Sequence, residues 1–154
     1  GCAKGFFVRA MVEAGYDAYG LDVSDYAIRH CDPVVLGRIS RPFDCDCQYD
    51  YGFVKDVLEH VAYQDIDDVL EYMASVCPVW LLCVPLARNG RYLIGDYEAE
   101  TTHIIREDLE WWVERVGRVL PVRLVAHRIA GLKDKWYAVH PRGDLFIVAD
   151  RRPE

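Results

Sequence analysis

The sequence predicts an α/β fold: a doubly wound, mostly parallel sheet with a C-terminal antiparallel hairpin. Three observations predict it. Short apolar runs of strand length alternate with segments whose apolar residues fall three and four apart. Turn residues break the chain at short intervals, and no internal repeat, low-complexity tract or Pro/Gly-rich linker divides it. The last two strand-like runs follow each other with no helical segment between them, which makes them an antiparallel pair. With 154 residues, 52% of them hydrophobic, the chain has the length and apolar content of one domain, residues 1–154.

Residues 6–14 read as a helix with Phe7, Ala10, Met11 and Ala14 on one face, ended by Gly15 in the left-handed position that follows a helix. A short strand over 17–22 comes next. Ser24 is a good N-cap for a helix through Cys31, and Asp32-Pro33 stops it because the residue before proline is pushed out of the α region. The apolar run 34–36 reads as a third strand and 51–54 as a fourth. Behind Asp65 as N-cap, Ile66, Val69, Leu70, Met73 and Ala74 fall at helical spacing. Residues 79–84 are the clearest buried strand; Ile105, Leu109, Trp112, Val113 and Val116 form the stripe of the next helix; 122–129 and 145–149 are the closing strands.

The charge of −7, with 18 Lys and Arg scattered along the chain, lacks the basic stripe of a duplex-binding protein, so no nucleic-acid partner is expected. The longest apolar stretch, 79–86, is too short to span a bilayer, and no signal-peptide pattern opens the chain; no membrane insertion is expected. Six cysteines without C-x-x-C spacing read as reduced thiols of a cytoplasmic protein. Cys45-Asp46-Cys47 is the one stretch that invites a metal, but a C-x-C pair without further ligands falls short of a tetrahedral site, and no structural metal is expected.

The chain opens Gly1-Cys2-Ala3-Lys4-Gly5 and runs directly into a helix, the arrangement in which a small-residue turn lets a ligand approach the backbone. Asp22 ends the next strand, where an α/β nucleotide site places a carboxylate for ribose hydroxyls. These two features alone are equally compatible with a helix-entry turn and an acidic residue before an N-cap. A third feature separates the readings. The segment Tyr51-Gly52-Phe53-Val54-Lys55-Asp56-Val57-Leu58-Glu59-His60-Val61 resembles the fourth-strand segment of class I S-adenosylmethionine-dependent methyltransferases, in which a strand is followed by D-V-L-E-H. Gly1, Ala3 and Gly5 are similar to that family's three small positions, with Ala in place of the middle glycine, and the likeness runs over nearly the whole chain. Residues 79–84 before Pro85 resemble its fifth strand and 131–150 its C-terminal hairpin.

The resemblance implies a Rossmann-like sheet, S-adenosylmethionine as cofactor, and methyl transfer to an acceptor, with a small molecule or glycan precursor expected from the acidic composition. It implies that Gly1, Cys2, Ala3 and Gly5 wrap the methionine and ribose portion, that Asp22 binds the ribose, that Val23 and Ile39 offer apolar surface to adenine, and that Lys55, Asp56 and Val57 floor the pocket. The sequence starts inside the family's first motif, so the first strand and its acidic residue are expected to be missing and the chain to be truncated there. Where the family often places an acidic residue for the adenine amino group, this chain has Gly37-Arg38-Ile39-Ser40, which leaves Arg38 as an atypical cofactor neighbour.

His103 and His60 are the candidates for a general base, because imidazole titrates near neutrality. Each has a rival role. His60 as a loop-ordering hydrogen-bond partner lines the substrate site without abstracting a proton, and His103 could be an exposed ring beside a helix entry capped by Thr101 or Thr102. Glu59 either pairs with a base or faces solvent. Trp111 is a candidate border for the substrate, with partial burial as its alternative. The rival function from another class is a non-catalytic nucleotide-binding or interaction module; an NAD-dependent oxidoreductase ranks last, because Phe6 stands where G-x-G-x-x-G requires a glycine.

Overall fold

The computed structural model describes residues 1–43 and 47–153, so Cys45-Asp46 of the C-x-C stretch lie outside the described residues. The chain divides into two compact units, Gly1–Cys47 and Gln48–Glu154.

In the first unit, α1 (Phe6–Glu13) begins at Gly5, whose φ of 78° lies in the left-handed region that favours glycine. A Cβ at Gly5 would also stand 2.3 Å from Ile39 Cδ1 and 2.8 Å from Val35 Cγ2, so the missing side chain makes the space that Ile39 fills. Gly15, at φ 91°, closes the helix as expected. The buried face is not the expected one. Val8 is the buried residue of α1, packed with Val35 and Ile39, whereas Phe7 is 52% exposed. Arg9 and Glu13, paired one turn apart, mark the polar face, and Val8 lies on the side away from them. Strands β1 (Gly20–Leu21) and β2 (Ile39–Ser40) pair in parallel, Gly20 opposite Ile39. Between them lies α2 (Asp25–Arg29), whose Ala27 N–H donates to Ser24 Oγ at 3.2 Å, as the capping rule requires. The expected strand at 34–36 is instead a single 3-10 turn, Pro33–Val35, because the Asp32 carboxylate accepts the Val34 N–H and proline sets the first turn position.

In the second unit, β3 (Gly52–Lys55) leads through a 3-10 turn, Leu58–His60, to α3 (Ile66–Val76) and β4 (Val79–Pro85). A small hairpin, β5 (Ala87–Arg88) and β6 (Arg91–Tyr92), precedes α4 (Leu109–Gly117), β7 (Val122–Ala126), α5 (Asp134–Val139) and β8 (Asp144–Asp150). The main sheet has the order β3-β4-β8-β7, with β3 parallel to β4 and β8 antiparallel to both its neighbours. The closing strands are antiparallel as expected, but two details differ. The short helix α5 lies between them, and β8 sits inside the sheet with β7 at the edge. Helix α5 escaped the sequence because its six residues start from Lys133 in a left-handed conformation with no side-chain cap. Ile105 is fully buried as expected, yet precedes α4, whose entry is capped by the Asp108 carboxylate.

The core of this unit gathers Leu58, Ile66, Leu70, Leu82, Trp112 and Ile147. Trp80 on β4 keeps its indole satisfied by donating to the carbonyls of Met73 and Cys77 at 3.0 and 3.1 Å. Its ring lies across Gly52, where a Cβ would be 2.4 Å from Trp80 Cε3. Cys2, Cys31, Cys77 and Cys83 carry free thiols, and among the described residues no helix is long and apolar enough to cross a membrane.

Gly52→Ala should therefore overpack a rigid aromatic and lower stability by about 1–3 kcal/mol. Gly117→Ala, with nothing within 4 Å of the new methyl, should be neutral or stabilising by up to about 1 kcal/mol. Urea denaturation of both variants checks the contrast.

Candidate functional site

The candidate cofactor residues of the first unit converge on Asp22. This carboxylate is 8% exposed at the end of β1. Its Oδ2 accepts the Ala3 N–H at 2.7 Å and its Oδ1 the Ser24 N–H at 2.8 Å. One acidic side chain thus ties the opening turn to the entry of α2. The Cys2 N–H and the Gly1 ammonium both donate to the Leu21 carbonyl, at 3.0 and 2.5 Å, laying the turn along β1. Ala3 holds a left-handed φ of 48°, a conformation usually left to glycine and asparagine. Val23 is 74% exposed beside this turn.

Two expected cofactor neighbours are committed elsewhere. Ile39 is buried in the small core against Gly5, Val8 and Val35, so it offers no surface to an adenine. Arg38 pairs with Asp17 at 2.6 Å, donates to the Ala18 carbonyl and lies over the Tyr19 ring.

In the second unit, the turn after β3 places Asp56 at φ 54°, strained for a residue with a Cβ. Its carboxylate pairs with Lys55 and with Lys133, and Lys133 also reaches Asp144 at 2.7 Å and the Tyr97 hydroxyl at 3.0 Å. The Lys133 side chain is 6% exposed and that of Asp144 5%. Burial works against the Lys133 ammonium, but the flanking acidic groups outweigh it and hold its pKa above the ordinary lysine value. Burial pushes the Asp144 carboxyl up, opposed by Lys133, and pushes the neighbouring Cys83 thiol up to about 12.

Beside this cluster lies a cavity of about 330 Å³ lined by Asp56, Glu59, Asp96, Tyr97, Glu100, His103 and Trp136. Glu59 is buried, not solvent-facing, and desolvation pushes its carboxyl up to about 7. Its carbonyl accepts the Ile104 and Ile105 N–H groups at 2.7 and 2.9 Å, fastening the loop that carries His103 to the 3-10 turn. The imidazole of His103 is 9% exposed, which excludes the exposed-ring reading. It is edged by the rings of His60, Tyr92 and Tyr97, and burial, then His60, lowers its pKa. His60 orders the loop as its rival reading expected: Nδ1 lies 3.1 Å from the Thr102 carbonyl and 3.0 Å from Thr102 Oγ1.

Trp111 does not line this cavity. It sits on α4, edge-on to Tyr63 and Trp112, with Arg115 over its face. The tryptophan at the cavity is Trp136 on α5, missed with its helix. Lys133, Asp144 and Tyr97 were missed as well; the only signal was an acidic residue directly before the apolar run of β8.

The fold is that of class I S-adenosylmethionine-dependent methyltransferases. A methyltransferase of this kind from Archaeoglobus fulgidus superposes with a TM-score of 0.68 at 15% identity, over 98% of this chain and 83% of that one. One from Mesorhizobium loti gives 0.67 at 15%, over 98% and 88%. The magnesium protoporphyrin IX methyltransferase of Synechocystis, solved with bound SAH, gives 0.67 at 16%, over 99% and 72%. No family model and no curated protein matches the sequence.

Removing the Lys133 charge leaves Asp144 buried without its counter-ion. Lys133→Met should lower stability by about 3–5 kcal/mol in guanidinium unfolding.

Proposed function

We propose that this chain is a methyltransferase that takes its methyl group from S-adenosylmethionine and delivers it to a small-molecule acceptor. The observation that carries the reading is the grip of Asp22 on the opening turn, in a fold shared with enzymes that use this cofactor. The residues fit the group. Each Asp22 oxygen accepts one backbone N–H and retains a lone pair for a ribose hydroxyl. Ala3 and Gly5 hold the turn in left-handed conformations, Ala3 lies exposed on it, and Val23 offers exposed apolar surface. Gly1, Cys2, Ala3, Gly5, Asp22 and Val23 are the holding residues in this reading.

Bound there, the cofactor supplies a methyl already activated on a sulfonium, so the protein's task is positioning and exclusion of water. The cavity beside Glu59 is the acceptor site in this reading. His103 and Trp136 border it, and His60 supports it through Thr102. Tyr97 and Trp136 provide aromatic walls, and the carboxylates favour an acceptor with hydroxyl or amine donors.

Calorimetric titration of the chain with S-adenosylhomocysteine should give one site. Asp22→Asn turns an acceptor into a donor facing the turn, and should weaken that site by roughly 1.5–3 kcal/mol, about 10- to 150-fold, with the fold retained by circular dichroism. An unaltered Kd in the folded variant removes Asp22 from the site. No binding by the parent chain removes the function.

A further inference from the structure

Three side chains at the cavity wall form a donor set that the protein itself leaves unsatisfied. One carboxylate oxygen of Glu59 and one ring nitrogen each of His60 and His103 lie within 4.8 Å of one another. Glu59 Oε2 is fully buried and, among the described residues, accepts no hydrogen bond; His103 Nδ1 is likewise buried and without a partner. His103 Nε2 faces Glu59 Oε1 across 3.9 Å, too far for a hydrogen bond. The His60 tautomer follows from its neighbours. The Thr102 hydroxyl donates to Glu100 at 2.9 Å, so both its oxygen and the Thr102 carbonyl can only accept from His60 Nδ1–H. In the neutral ring Nε2 then carries a free lone pair. A buried carboxylate and two imidazoles, one oriented through its second nitrogen by a backbone carbonyl, are the pattern of a metal site with its supporting shell.

We propose that Glu59, His60 and His103 form a binding site for a divalent first-row transition-metal ion that opens onto the cavity. Two imidazoles and one carboxylate suit such ions better than magnesium or calcium, which prefer all-oxygen shells. Donor atoms on one zinc ion sit about 3.3 Å apart for bonds of about 2.0–2.1 Å, so the three donors draw together by up to about 1.5 Å on binding. Three protein ligands leave positions open toward Asp96, Glu100 and any oxygen-bearing molecule in the cavity. A neighbouring set, Asp56, Cys83 and Asp144, lies equally close together but already holds the Lys133 ammonium, so it is not available to an ion. The assignment rests on these three residues alone and stands apart from the methyl-transfer reading. It gives His103 a ligand role in place of proton abstraction, and it differs from the no-metal expectation, which weighed only the Cys45–Cys47 stretch.

The test is titration of the intact chain with Co2+, read by visible absorption, with Zn2+ affinity from calorimetry. The expected result is one site with d–d bands of a nitrogen–oxygen shell. His103→Ala and Glu59→Gln, each verified as folded by thermal melting, should each weaken it roughly tenfold or more. His30→Ala, on the exposed end of α2, should leave it unchanged. A thiolate-to-cobalt charge-transfer band, absence of binding, or affinity undiminished in both folded site variants overturns the proposal.

Discussion

A lysine buried between two carboxylates is the constraint on which the second unit turns. Lys133 has lost nearly all contact with water, and so has Asp144. Two desolvated charges are costly, and such a pair persists only if each partner is in place. Lys133 thereby ties the strained turn at Asp56, the entry of α5 and the first residue of β8 to one point. Because β8 lies inside the sheet between β4 and β7, an error in its register would pull Asp144 away from the ammonium. The same residue, itself left-handed at φ 55°, fixes where α5 begins and so where Trp136 meets the cavity.

The cavity inherits its electrostatics from this arrangement. Asp56 is neutralised by Lys55 and Lys133, which leaves Glu59 as the cavity's deeply buried acid without a cationic partner. Burial raises its pKa, its Oε2 has no donor among the described residues, and the Tyr92 and Tyr97 rings meet His103 edge-on. Thr102 and Glu100 hold His60 in one orientation. The loop 100–105 is thus fastened to the turn that follows β3 through two backbone hydrogen bonds, from Ile104 and Ile105 to the Glu59 carbonyl.

Much of the architecture was legible in the sequence because it depends on local signals. Ser24 caps α2, Gly15 ends α1, and the apolar run of β4 is buried along nearly its whole length. The segment around Asp56 to His60 was recognisable by its family resemblance as the turn after the fourth strand, and Asp22 as the acid at a strand end. The parts that were not legible depend on space and distance. Ile39 reads as a surface hydrophobe until Gly5 is seen to leave a hole for it. Trp111 and Trp136 cannot be ranked without knowing that α5 exists. Lys133 and Asp144 meet Asp56 from far along the chain, and no spacing rule encodes a pairing that only the sheet order brings about. His103 was identified by its loop, but its burial against Glu59 comes from the carbonyl of Glu59 gripping two consecutive amides.

If the buried cluster organises this unit, its charges must be energetically coupled and not merely adjacent. A double-mutant cycle of Lys133→Met and Asp144→Leu, followed by guanidinium unfolding, measures that coupling directly. The account predicts that the double variant is less destabilised than the sum of the two single variants, by about 1–3 kcal/mol, because removing both partners leaves no buried charge uncompensated between them. Additivity within about 0.5 kcal/mol would contradict it, and would mean that Lys133 and Asp144 are held in place by the surrounding packing and not by each other.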